Sequence, residues 1–224
     1  MARSRRRRWP LLVGFLLIVA VAAAAAELLV RGLVEDRIAA RVESEWGGTA
    51  DAAVSSTLVL PQLLSDELSS VELDIRDAAY NSMTGISGHA ELENVRWDGN
   101  DVSASRSRME INVPAEGLEQ AVSDSLPVDL TDVAISSLPE SQQMELASGQ
   151  QLAVTLLVTP SLEGDAVIIE IDDVQLGGSL PELDLGFGEG STYSISELSD
   201  LPLGLSPTGL TVIDEGVLLT LDSG

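Results

Sequence analysis

Cysteine and lysine are absent from this chain, histidine occurs once, at position 89, and aromatics make up only 3% of the residues. Without cysteine there is no disulfide, no thiolate nucleophile and no thiolate metal site, so stability has to come from packing. With one histidine, a Ser-His-Asp arrangement would have to use His89, yet no Gly-x-Ser-x-Gly elbow is present, and His89 reads as a surface residue near a hairpin. Scarce aromatics argue against a sugar platform, and they leave a core of Leu, Val, Ile and Ala. No phosphate loop or dinucleotide fingerprint occurs. Asp172-Asp173 and Asp214-Glu215 lack the alternating oxygen ligands of a calcium loop, so no metal is expected. No catalytic residues and no cofactor are expected either, and the chain is read as one that binds rather than catalyses.

Charge is just as uneven. All twelve basic residues are Arg, five of them within residues 1–8, and no acid precedes Glu27. The remainder therefore holds seven Arg against 36 acids, a net charge of −29. Phosphate backbones require a basic footprint, which excludes nucleic acid as a partner, and anionic lipid headgroups would repel such a surface.

What is present begins with an export signal. Arg3 and Arg5 to Arg8 are followed by Trp9, Pro10 and sixteen residues, Leu11 to Ala26, without a polar side chain. Leu11 to Val30 is twenty residues, long enough to span a bilayer. The reading adopted is a basic cytoplasmic segment over 1–8, a signal-anchor helix over 9–30 and one extracytoplasmic domain over 31–224, making a single-pass membrane protein. Ala24 and Ala26 also fit a cleavage site, and processing after Ala26 would release the domain. The helix is expected to continue through Val30, Val34, Ile38, Val42 and Trp46, a row that drifts round the helix, and to stop at Gly47-Gly48.

Beyond the glycines the period changes to two. Val71, Leu73 and Ile75 alternate with polar residues as a half-buried strand. Residues 89–97 and Val102 onward form a hairpin about Asp98-Gly99-Asn100-Asp101. Met109, Ile111 and Val113 follow in the opposite phase to Val102 and Ala104, which requires a bulge or bend near Ser105. Leu118, Ala121, Val122 and Leu126 share a helical face between Pro114 and Pro127. Runs at 128–135, 152–158 and 167–176 read as an antiparallel meander, with a short helical turn over 140–146 suggested by the capping spacing of Ser137 and Glu140. Residues 177–192 read as a loop, and the chain closes on a hairpin turning at Asp214-Glu215-Gly216 with Val217, Leu219 and Leu221 in the last strand.

The order of features, with the closing Leu201-Pro202-Leu203-Gly204-Leu205, Thr208-Gly209-Leu210-Thr211-Val212 and Gly216-Val217, resembles the LmeA-like phospholipid-binding proteins of actinobacteria over about residues 28–222. That resemblance implies an α+β fold similar to tubular lipid-binding domains: a long curved antiparallel sheet wrapped around one or two helices, with an apolar groove. It implies an envelope phospholipid-binding protein, engaged in lipid transfer or in lipoglycan and envelope biogenesis. The groove would be lined by Val71, Leu73, Ile75, Ile169 and Ile171 opposite Leu118, Val122 and Leu126. At about 0.8 kcal/mol for each buried methylene, partial entry of two acyl chains would hold a lipid firmly. Arg106 and Arg108, two apart on one strand, are the headgroup candidates, with Arg76 and Arg96 on other strands. The competing reading is a structural or adhesive envelope module that binds protein or wall polymer through its acidic surface.

Overall fold

The computed structural model describes residues 9–55, 59–63, 65, 67–98, 101–126, 133–148, 153–177, 188–199 and 201–223, and for residues 9–19, 23, 45, 60, 63, 97, 98, 101, 153, 177 and 202 the backbone alone. The basic segment 1–8 lies outside these residues. A helix, α1 (Trp9–Trp46), runs without interruption across the expected boundary at residue 30. Among the described residues no helix is long and apolar enough to cross a membrane. The spanning segment read over 9–30 is thus not shown, and the side chains of residues 9–19 lie outside the description.

Gly47 and Gly48, at φ of 68° and 69°, end α1 where the sequence places its stop. A Cβ on Gly48 would lie 2.3 Å from the Arg76 carbonyl oxygen, so only glycine lets the chain turn this close to the sheet. The turn leads into an edge strand that the sequence did not announce, β1 (Thr49–Val54). A four-residue helix, α2 (Leu60–Leu63), then precedes the hairpin of β2 (Glu67–Tyr80) and β3 (Met83–Asp98). The expected hairpin at 98–101 forms, pairing β3 with β4 (Asp101–Ser103). The strand breaks at Ala104 and Ser105 before β5 (Arg106–Pro114) resumes. At the break Asn94 adopts φ of 49°, and its side-chain amide donates to Ser105 Oγ at 2.8 Å.

Helix α3 (Ala115–Ser125) follows Pro114 as expected and buries Leu118, Ala121 and Val122. It ends where Leu126, which precedes Pro127, turns extended at φ −81° and ψ 145°. The meander is β6 (Val133–Leu138), β7 (Gln143–Ser148), β8 (Ala153–Glu163) and β9 (Ala166–Gly177). No helical turn occupies 140–146: residues 139–142 are a tight turn and β7 takes the rest. Ser137, read as a cap, instead donates its hydroxyl to the Gly216 carbonyl at 3.5 Å. The local pattern was ambiguous, and pairing with β8 decided it. Within the expected loop 177–192, residues 178–187 lie outside the description, and a further strand, β10 (Thr192–Glu197), starts at its end. A turn of 3₁₀ helix, Pro202–Gly204, leads into the closing hairpin of β11 (Leu205–Ile213) and β12 (Gly216–Ser223).

The strands form two antiparallel sheets rather than the single sheet expected. One is ordered β1-β2-β3-β5-β12-β11 with β4 beside β3; the other is ordered β10-β9-β8-β7-β6. The fold is α+β and rich in strand. A break in the pairing after β5 was not legible, because an amphipathic strand looks alike in either sheet. Between the sheets and α3 lies one large apolar cluster, and Ile38, Val42 and Trp46 of α1 pack against it. A smaller cluster, Val54, Val59, Leu68, Val71, Leu92 and Val95, lies toward the other end of β2 and β3, where Val30 and Val34 cover it.

Two rows at four-residue spacing thus divide the docked part of α1. The row Val30, Val34, Ile38, Val42, Trp46 faces the core. The neighbouring row contains Glu27, Glu35 and Glu43, whose Oε1 atoms accept backbone N–H groups of Val59, Val54 (2.9 Å) and Ala50 (3.0 Å). Because β1 is an edge strand, the outward N–H groups of Ala50 and Val54 would otherwise be unpaired, and Glu43 and Glu35 satisfy them, while Glu27 holds the chain beyond the strand at Val59. The opposite edge, β11, is closed by the Gln142 amide, which accepts from Val212 N at 3.0 Å and donates to Val212 O at 3.1 Å.

Candidate functional site

The apolar interior is not completely filled. A cavity of about 40 Å³ lies inside the large cluster, walled by Ile86, Ile111, Val113, Val217, Leu219 and Leu221 from the first sheet, Val167 from the second and Leu118 from α3. Its mouth is framed by the half-buried Trp46, Tyr80, Leu201 and Leu210. Trp46 closes α1 and Tyr80 closes β2, and their rings stand 6.2 Å apart at 47°, a tilted aromatic pair. The lining exposes no polar surface. Such a cavity takes hydrocarbon and gives water no hydrogen-bond partner.

All eight expected groove residues are buried, but they do not form one face. Leu73 and Ile75 on β2, Leu118, Val122 and Leu126 in and after α3, and Ile169 and Ile171 on β9 share the large cluster from different layers. Val71 belongs to the smaller one. Of the eight, Leu118 alone lines the cavity. Trp46, Tyr80 and Leu210 were not singled out as site residues. The available signal was their rarity: with so few aromatics, one closing a helix and one closing a strand before Asn81-Ser82 were worth marking.

Arg106 and Arg108 flank Ser107, which is buried, and so stand on the outer face of the first sheet. Arg106 pairs with Glu93 at 3.4 Å and Arg108 with Asp222 at 3.1 Å. Arg76 and Arg96 pair in the same manner with Asp51 and Glu67. None of the four lines the cavity. The outer face also carries an open trough bordered by Asp74, Arg76, His89, Glu110 and Asn112. His89 Nδ1 lies 2.8 Å from Asp74 Oδ1, and Nε2 lies 3.8 Å from Glu91 Oε1. The Asp74 hydrogen bond, partly offset by desolvation and reinforced by the charges of Asp74, Glu91 and Glu72, raises the imidazole pKa above its usual 6.5. Both ring nitrogens therefore face carboxylates, which is an ion-pair arrangement rather than a hydroxyl-activating one. Asp172 spends its Oδ2 on Gln143 and Thr159, and Asp173 caps its own strand.

A family model of LmeA-like phospholipid-binding proteins matches residues 25–222. The chain belongs to that family. Membership gives phospholipid binding as its general function, and the family match starts two residues before Glu27, the first glutamate bonded to the domain. Comparison with curated proteins and with solved structures finds no match.

Proposed function

We propose that this family member is a membrane-anchored, non-enzymatic carrier in the cell envelope that holds acyl chains between its two sheets and hands lipid onward, in lipid transfer or in lipoglycan and envelope biogenesis. The observation that carries the reading is the wholly apolar cavity whose mouth is framed by Trp46 and Tyr80. At about 40 Å³ it has room for a few water-sized spheres at most. Loading a chain therefore requires the sheets to part, with Leu201 and Leu210 at the mouth giving way first. The cluster residues Leu73, Ile75, Val122, Leu126, Ile169 and Ile171 would then line the widened groove beside Leu118, with Val71 at its far end. Arg106 and Arg108 are retained as headgroup contacts: both are exposed, and each can exchange its carboxylate for a phosphate.

Anchoring is supported by α1. From Glu27 onward the helix is bonded to the domain, yet its outward side stays apolar as far as Leu33, with Leu28, Leu29 and Leu33 each about 70% exposed at 70%, 70% and 68%. This band continues the apolar run of residues 11–26, as a helix leaving a bilayer obliquely would require. The boundary between anchor (9–30) and domain (31–224) would then fall within the docked helix.

Organic extraction of the purified full chain followed by mass spectrometry tests the carrier; an extract with no enriched lipid overturns it. Intact mass of the native protein tests the anchor, because a mature chain beginning at Glu27 would mean a released domain.

A further inference from the structure

The core row and the glutamate row leave the rest of α1 open. Each helical residue is turned about 100° from the one before it, so the positions that precede the core row lie on the side away from the glutamates. They are Leu29, Leu33, Arg37 and Arg41, and all four are exposed. Leu28 and Asp36 are exposed beside them, opposite the core. The first acid in the row itself is Glu45, a turn beyond Arg41.

The order along this row is apolar first and basic second. Leu28, Leu29 and Leu33 are the large apolar side chains left most open by the domain. After Glu27 the chain holds seven Arg against 35 acids, so two arginines on one helix face are a local reversal of sign. The four arginines of the first sheet are each paired with an acid, whereas Arg37 forms no ion pair among the described residues. Glu27, Glu35 and Glu43 of the same helix are turned to backbone amides on its other side. Leucines that give way to arginines within one turn suit a surface crossing from hydrocarbon into phosphate.

We propose that this row is a lipid-docking face, with Leu28, Leu29 and Leu33 among acyl chains and the Arg37 and Arg41 guanidiniums on lipid phosphates. The spacing sets the tilt. Leu33 to Arg41 is eight residues, about 12 Å along the axis, whereas the headgroup layer on one side of a bilayer is about 5–7 Å thick. An upright helix carries Arg41 past the phosphates, and both arginines reach them only if α1 leans over with this row downward. The face goes beyond the anchor, because a chain released by cleavage after Ala26 keeps the whole row. It also fixes which side of the domain meets the bilayer: the side of α1 away from β1.

The absence of cysteine allows a single label to be placed at will. The full chain with Ser44→Cys, carrying a bimane fluorophore, is reconstituted in vesicles of phosphatidylcholine and phosphatidylglycerol that contain a lipid with a nitroxide on its headgroup. Ser44 is exposed and lies about 16 Å beyond Leu33 along the helix, so only a leaning helix brings the label to the quencher. Quenching is expected. Each arginine at an anionic leaflet is worth about fivefold in partition, so Arg37→Ala with Arg41→Ala weakens the docked state about thirtyfold and removes most of the quenching. Arg37→Lys with Arg41→Lys keeps it. No quenching with the native row, or quenching unchanged by the double alanine, overturns the docking face. A second label at Ala20, read against a nitroxide on the acyl chain, reports the anchor separately. Loss of that signal while Ser44 is still quenched overturns the spanning helix and leaves the docking face standing.

Discussion

Filling the cavity separates a lipid site from a packing defect, and Val217→Ile is the substitution to use. Val217 is buried on β12, lines the cavity and lies opposite Val113. The added methyl group keeps the residue β-branched and needs no partner. Transfer of one further methylene from water is worth about 0.8 kcal/mol. Removing a 40 Å³ void at about 24 cal/mol per Å³ gives about 1 kcal/mol, much the same figure reached from the other side. These describe one effect and are not summed. The expected gain of about 1 kcal/mol raises Tm by about 2–4 °C in a chain of this size, read from thermal melts of the delipidated protein. If chains enter here, the same variant takes up less phospholipid in native mass spectrometry. Higher stability with unchanged loading would refute the assignment of the site, and lower stability would show that the void is not free to be filled.

Four further outcomes are expected. Glu35→Ala strands the Val54 N–H at the sheet edge and should cost about 1 kcal/mol in denaturant unfolding with faster hydrogen exchange at that amide, whereas Glu35→Gln, which keeps an acceptor, should recover most of it. Gly117→Ala places a Cβ 2.0 Å from the Thr84 carbonyl oxygen, so α3 must lift off β3 at a cost of about 2–3 kcal/mol; a loss below about 0.5 kcal/mol would mean the helix rides free of the strand. His89 has a folded pKa above its unfolded value, so its small contribution, a few tenths of a kcal/mol at this exposure, is complete below pH 6.5 and fades as pH rises through the folded pKa; Asp74→Asn should move the imidazole titration, followed by NMR, back down. Arg106→Ala with Arg108→Ala should lower co-purification of anionic phospholipid without changing the melt by more than about 0.5 kcal/mol, and unchanged co-purification removes both as headgroup contacts.

The elements legible in the sequence were those whose signal is local. The row from Val30 to Trp46, the stop at Gly47-Gly48, the proline-bounded α3 and the turn at Asp214-Glu215 all declare themselves within a few residues, and the structure has them at those positions. The phase change between Ala104 and Met109 located a break that a propensity scale would have missed. What escaped depended on distant partners. β1 is a run of small residues, Ala50, Ala52 and Ala53, that becomes a strand through its pairing with β2 and its carboxylate cover from α1. β10 owes its conformation to β9. The cavity was illegible for the same reason: Trp46, Tyr80 and Leu210 are far apart in sequence, and nothing local marks them as neighbours. The eight residues assigned to a groove are all buried, as their alternation implied, but a period of two cannot say which of two sheets a strand will join.

The glutamate row along α1 also determines how the domain carries load. α1 and β1 run antiparallel, and Glu27, Glu35 and Glu43 attach the helix to the chain that follows it at three successive levels. A pull on the residues ahead of Glu27, directed along the helix, meets these bonds side by side and has to shear them together rather than peel them one after another. Trp46 sits at the far end of the same helix, beyond all three. Tension on the amino-terminal segment is thus spent on the strand edge before it reaches the mouth of the cavity.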